Sequence, residues 1–201
     1  MEERKFTEKE SLELISQMIR NTQTRMEENS GTMFLIWGYL SAFTSLLVWG
    51  LLMVSFNHQW KWFWFLLPVA GSILTLLHFK KEKRKPHANT YIDRIIGYIW
   101  AVLGIAGFML SMISIFFYVK FPILFIIALI MGIGTALTGM VIRFKPLIYS
   151  GIAGMILSVV FLFVAWKIQL LVFAALFLFM MVIPGHILNH AARKRNKESH
   201  V

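Results

Sequence analysis

The chain has 201 residues, of which 58% are hydrophobic and only 15% charged, with a net charge of +10 and no cysteine. Its mean hydropathy of +0.67 and its apolar share lie above the globular norm of roughly 45–50%. A soluble chain of this length has too little interior to hide so much apolar surface, so lipid must be the solvent for much of it. Without cysteine there are no disulfides, thiol nucleophiles or Cys metal sites. The basic residues stand at the ends of apolar runs, where membrane topology accounts for them, so no nucleic-acid partner is expected.

The first 30 residues are polar and hold seven acids, Glu2, Glu3, Glu8, Glu10, Glu13, Glu27 and Glu28. No cleavable secretory signal is expected, because the apolar run that follows is far longer than the roughly 7–15 residues of a signal core. Thr7 and Glu10 fit a capping box, with the acids of the first turn at the positive end of the helix dipole. Leu12, Ile15, Ile19 and Met26 recur on one face, which predicts an amphipathic helix whose stripe docks on the bundle's own inner face or binds a partner. The acids outnumber the five bases of this segment, which disfavours lying flat on anionic lipid. Asn29-Ser30-Gly31 predicts a stop and hinge, making residues 1–31 a unit in front of the membrane domain.

Six apolar runs follow at 33–56, 62–79, 95–118, 121–142, 147–166 and 168–188. Each is close to the roughly 20 residues that cross a bilayer as a helix. Backbone polar groups in lipid must pair within their own segment, and no alternating strand pattern is present, so helices are the solution. The expected fold is an all-α polytopic membrane protein. Its membrane domain spans 32–190 as three consecutive hairpins, and 191–201 form a basic tail. Of the 20 Lys and Arg, 17 fall on the side of the two termini, and only Lys61, Lys120 and Lys167 on the other. The positive-inside rule then places both termini in the cytoplasm.

The hairpins resemble one another. The first two end in Lys85-Pro86 and Lys145-Pro146, and Gly71 precedes Lys80 by the same nine residues that separate Gly134 from Arg143. In the third, Gly185 precedes Arg193 by eight.

Several groups are candidates for chemistry or contact. His186 and His190 share a helical face at a spacing that can hold Zn²⁺, but no third ligand is near in sequence, so no metal or other cofactor is expected. Ser150, Gly154 and Ser158 form a stripe of small residues expected to pack against another helix. Pro68 and Pro184 are expected to kink their helices, and broken helices can line a substrate path. Lys80, Lys81, Lys83, Arg84 and Lys85 are a candidate site for anionic lipid. No hydrolase, metalloprotease or phosphate-loop motif is present, and the spans hold no deep Asp, Glu, Lys or Arg. The chain is therefore not expected to be an enzyme, a proton pump or a voltage sensor.

Glu10-Ser11-Leu12-Glu13-Leu14-Ile15-Ser16-Gln17-Met18-Ile19, followed by Phe34-Leu35-Ile36-Trp37-Gly38-Tyr39, resembles the start of a group of small bacterial six-helix inner-membrane proteins. The motif covers about the first 40 residues. The resemblance implies a location in the bacterial inner membrane and brings no activity or site residues. The function expected is a non-enzymatic interaction or regulatory component acting through its N-terminal helix, with a protein partner or a second copy. The alternative is a transporter or channel for a neutral or hydrophobic small molecule.

Overall fold

The computed structural model describes residues 8–54, 58–82, 91–116 and 122–198. These are helical, with no strand among them. α1 is Glu8–Val54, and a 3-10 segment His58–Phe65 leads into α2, Leu66–Glu82. α3 is Tyr91–Phe116 and α4 is Ile123–Val141. α5, Lys145–Ser158, ends in a 3-10 turn at Val159–Leu162. α6, Trp166–Phe177, passes through a π turn at Leu178–Val182 into α7, Ile183–Glu198. Six stretches are long and apolar enough to cross a membrane: Gly31–Val54, Trp62–Lys81, Tyr91–Ser114, Ile123–Val141, Lys145–Leu162 and Trp166–Lys194. The chain is an all-α, multi-pass membrane protein. The basic residues 83–85 lie outside the described residues.

The last span is the centre of the bundle. Over half of its apolar window is buried (56%), against 6% for α2 and for α3, which therefore form the rims. α1 packs antiparallel along it. Gly31 meets Gly185 and Asn189, Gly38 meets Met181 and Val182, and Trp49 Nε1 donates to the Lys167 carbonyl at 3.0 Å. On the far side of the last span lie α5 and α4, themselves the closest pair. Gly132 lies against Met155, Ala136 against Gly151, and Gly139 against Ile148. Contact in such steady register is what small residues permit, and in lipid close packing is a principal attraction between helices.

The turn between α4 and α5 is built by local rules. The Arg143 N–H bonds the Met140 carbonyl at 3.2 Å and the Phe144 N–H bonds the Gly139 carbonyl at 2.9 Å. These are the paired closures of a Schellman motif, whose C′ residue must turn left-handed. Arg143 does so with φ 56. Pro146 then sits in the first turn of α5, where its missing N–H costs nothing. At the opposite end Gln169 Nε2 donates to the Phe161 and Val164 carbonyls at 2.9 and 3.0 Å, tying the α5–α6 turn.

The first two hairpins are closed by the same device. Trp37 Nε1 on α1 donates to Thr75 Oγ1 on α2 at 3.1 Å, and Trp100 Nε1 on α3 donates to Thr138 Oγ1 on α4 at 3.1 Å. In each, the indole covers a glycine one turn before the threonine. A Cβ on Gly71 would meet the Trp37 ring at 2.5 Å, and one on Gly134 would meet the Trp100 ring at 3.3 Å. The three members of the second set each follow those of the first by 63 residues. In the third hairpin the hydrogen bond between the helices runs from Ser150 Oγ to the Met180 carbonyl and not from an indole, so the device is shared by two hairpins and not by three.

Two expectations are corrected. The hinge at Asn29-Ser30-Gly31 is absent, since α1 runs 47 residues without a break. Helix-weakening residues cost only about 1 kcal/mol each, and Gly31 is used for packing: a Cβ there would strike Asn189 Oδ1. Pro68 does not interrupt a regular α-helix. It is the third residue of α2, directly after the 3-10 segment, at the change of helix type within the Trp62–Lys81 span. The Leu12, Ile15, Ile19 and Met26 face falls outside the described side chains.

Candidate functional site at the junction of the first and last spans

Several polar groups of the membrane region lie where α1 and α5 meet the last span. Pro184 stands just after the π turn. An α-helix would pair its N–H with the Met180 carbonyl, and proline has none to give. Ser150 Oγ on α5 shares its one hydrogen between that carbonyl at 3.2 Å and the Leu147 carbonyl at 3.1 Å. Gly154, one turn along α5, receives the Met180 side chain in the space a Cβ would fill. Ser158 is also buried and donates to the Met155 carbonyl at 2.6 Å. The Ser150, Gly154, Ser158 stripe is thus a buried face, with its first two members against the π turn.

This arrangement makes a prediction. Ser150→Ala should lower stability by about 1 kcal/mol, the usual scale of a hydrogen bond between membrane helices. In a Pro184→Ala background, where a new N–H can reach the Met180 carbonyl, the cost should shrink to near zero. Thermal unfolding of the four proteins in one detergent checks it, and equal cost in both backgrounds would mean that the two residues act separately.

Nearer the chain termini, the buried Gly31 and Gly185 let α1 and α7 cross backbone to backbone, with Asn189 alongside. Asn189 Oδ1 is buried without a hydrogen-bond partner among the described residues. One turn deeper, Tyr39 Oη and His186 Nε2 share a 2.7 Å hydrogen bond, their rings edge to face at 5.9 Å. His186 lies seven residues before Arg193, about 10 Å along the helix. A hydroxyl and an imidazole at that depth are costly alone, and each satisfies the other. Beside Tyr39, an open groove of about 390 Å³ runs along α1, lined by Thr32, Leu35, Ile36, Tyr39, Phe43 and, across it, Leu74 of α2. In mid-span, Thr44 and Ser45 are fully buried, and their hydroxyls lack hydrogen-bond partners among the described residues.

Of the two histidines whose spacing could hold a metal, His186 has a partner on another helix. His186 directs Nε2 at Tyr39, and no cluster of three ligating side chains occurs among the described residues. Met180 and Met181 at the break before Pro184 are buried, so the last span is filled at that point. Sequence reasoning missed the Tyr39–His186 pair, because nothing in either stretch announces which helix will lie beside it. It also missed the two Trp–Thr clasps, although a signal for them was present. Both partners stand 38 residues apart in each hairpin, a spacing that the Gly71 and Gly134 correspondence already marks.

No family model, curated protein or solved structure matches this chain.

Proposed function

We propose that this is a non-enzymatic membrane component that acts through contacts made by its N-terminal helical arm, in the bacterial cytoplasmic membrane with both termini cytoplasmic. The observation that carries the reading is the continuity of α1. Residues 8–30 extend the first span as one helix, about 35 Å of rod at 1.5 Å per residue. The same helix is docked along the central last span by Gly31, Gly38 and Trp49. A partner gripping the arm at Leu12, Ile15, Ile19 and Met26 would therefore bear on the middle of the bundle without a flexible joint between. The distribution of Lys and Arg supports the orientation. At that same end, Lys80 and Lys81 are proposed to meet anionic headgroups.

Deleting residues 1–28 should release the partner while the six spans stay folded. Affinity purification in mild detergent, followed by native mass spectrometry, reads both at once. A partner fully retained on the truncated protein would overturn the reading. The alternative of a path for a neutral compound has less in its favour: Pro68 sits in a first turn, and the last span is packed at Pro184.

A further inference from the structure

The groove on α1 and the basic helix ends beside it belong together. The groove is open along one side and apolar except for the hydroxyls of Thr32 and Tyr39. α1 lies between α2, held by the Trp37–Thr75 bond, and α7, held at Gly185 and Asn189. Both flanking helices carry exposed cations towards the same side: Lys80 and Lys81 lie in the last turn of α2, which ends at Glu82, and Arg193 and Lys194 lie in α7 beyond Asn189. Lys81 follows Leu74 by two turns, which puts it on the groove face of α2, about 10 Å nearer the helix end.

We propose that this groove holds one acyl chain of an anionic phospholipid, with the headgroup phosphate at Lys80 and Lys81 and the Tyr39–His186 pair flanking the chain. Charge complementarity selects the occupant. An apolar slot that opens sideways into the hydrocarbon, with Lys80 and Lys81 at the end of the α2 wall, matches a molecule with an anionic head and a long apolar tail. A second protein helix laid in the slot would have to place acidic groups at that one end. The proposal rests on the reading that this end of the bundle meets anionic headgroups, and it adds a stoichiometric site to what would otherwise be diffuse attraction.

The test uses the full-length protein, stripped of lipid in detergent. It is titrated with phosphatidylglycerol and with phosphatidylcholine of the same chains, and bound lipid is counted by native mass spectrometry. The expected result is one phosphatidylglycerol per chain, bound in preference to phosphatidylcholine. Lys80→Gln with Lys81→Gln should lower phosphatidylglycerol affinity roughly 30-fold, the effect of removing two basic residues near a membrane surface, and leave phosphatidylcholine unchanged. Leu74→Trp, which fills the slot, should weaken both lipids. Equal affinity for the two lipids overturns the proposal, and so does a preference that survives loss of both lysines. A second copy of the chain in place of lipid, dispersed by Leu74→Trp, also overturns it. Both lysines are exposed at a helix end, so their variant folds and decides the matter even where Leu74→Trp does not.

Discussion

Gly151→Leu is expected to part α4 from α5 and to cost about 3 kcal/mol or more, the upper range for forcing extra atoms into a packed interior. A Cβ on Gly151 would strike the backbone nitrogen of Ala136, and its Cα at 2.8 Å. Neither atom can swing aside as a side chain end could, so the whole helix must move. Moving it also lifts Ile148 from Gly139 and Met155 from Gly132, because all three contacts lie on one helix pair. The displacement would carry Ser150 away from the Met180 carbonyl, linking the damage to the central span. Gly151→Ala should show the same effect at smaller size. Gly104→Ala is the control, since a Cβ there meets nothing within 4 Å, and alanine is the better helix former. Thermal unfolding in a fixed detergent, with size-exclusion profiles, reads all three. Similar midpoints for Gly151→Leu and Gly104→Ala would show that α4 and α5 do not rely on backbone approach.

Trp100→Ala should lower stability by about 2–4 kcal/mol, near the range for removing a large aromatic from a core. Trp37→Ala should cost somewhat less. The two clasps are alike in geometry but differ in surroundings. The Trp100 ring also meets Phe34 of α1 edge to face at 5.7 Å, and so joins α3 to the first span as well as to α4. Its threonine is the middle of a chain: Trp100 Nε1 donates to Thr138 Oγ1, which donates to the Gly134 carbonyl at 2.8 Å. Groups linked in this way polarise one another. Trp100→Phe keeps an aromatic ring but loses the N–H and part of the indole's bulk, so it should cost about 0.6 kcal/mol for the hydrogen bond, the average for interhelical hydrogen bonds in a membrane protein, plus a packing loss smaller than that of Trp100→Ala. Thr138→Val combined with Trp100→Phe should cost less than the sum of the two, because each alone leaves the other's polar group without its mate. Additive losses would indicate that the indole acts by packing alone. α3 is the more exposed partner in this hairpin, so its release is the expected first step of unfolding.

The legible and illegible parts of this protein divide along physical lines. The six spans were readable because each is decided within its own run: a stretch of about 20 apolar residues in lipid must close its own hydrogen bonds. The hinge was misjudged for a related reason. Asn29, Ser30 and Gly31 weaken a helix when judged alone, yet α1 continues through them and Gly31 serves the crossing with Gly185 and Asn189. Pro68 was misjudged because its effect depends on where its helix begins, which the aromatic 3-10 segment His58–Phe65 shifts to Leu66. Pro184 marked a real irregularity, but its carbonyl partner, Ser150, lies 30 residues from Met180 and on another helix.

The sequence by itself determined the solvent of this protein, the number of its crossings and the side on which its cations gather. Those follow from hydrophobicity, run length and charge, which are sums over neighbouring residues. Only the tertiary structure decided which helices are neighbours. To the hydrophobic effect an apolar helix face is the same against lipid as against another helix, so composition cannot choose. The choice is made by close approach at a few small residues and by polar groups that must find a mate. Gly151 finds Ala136, Gly31 finds Asn189, and Tyr39 finds His186. Each of these pairings is a relation between distant positions and exists only once the helices have met.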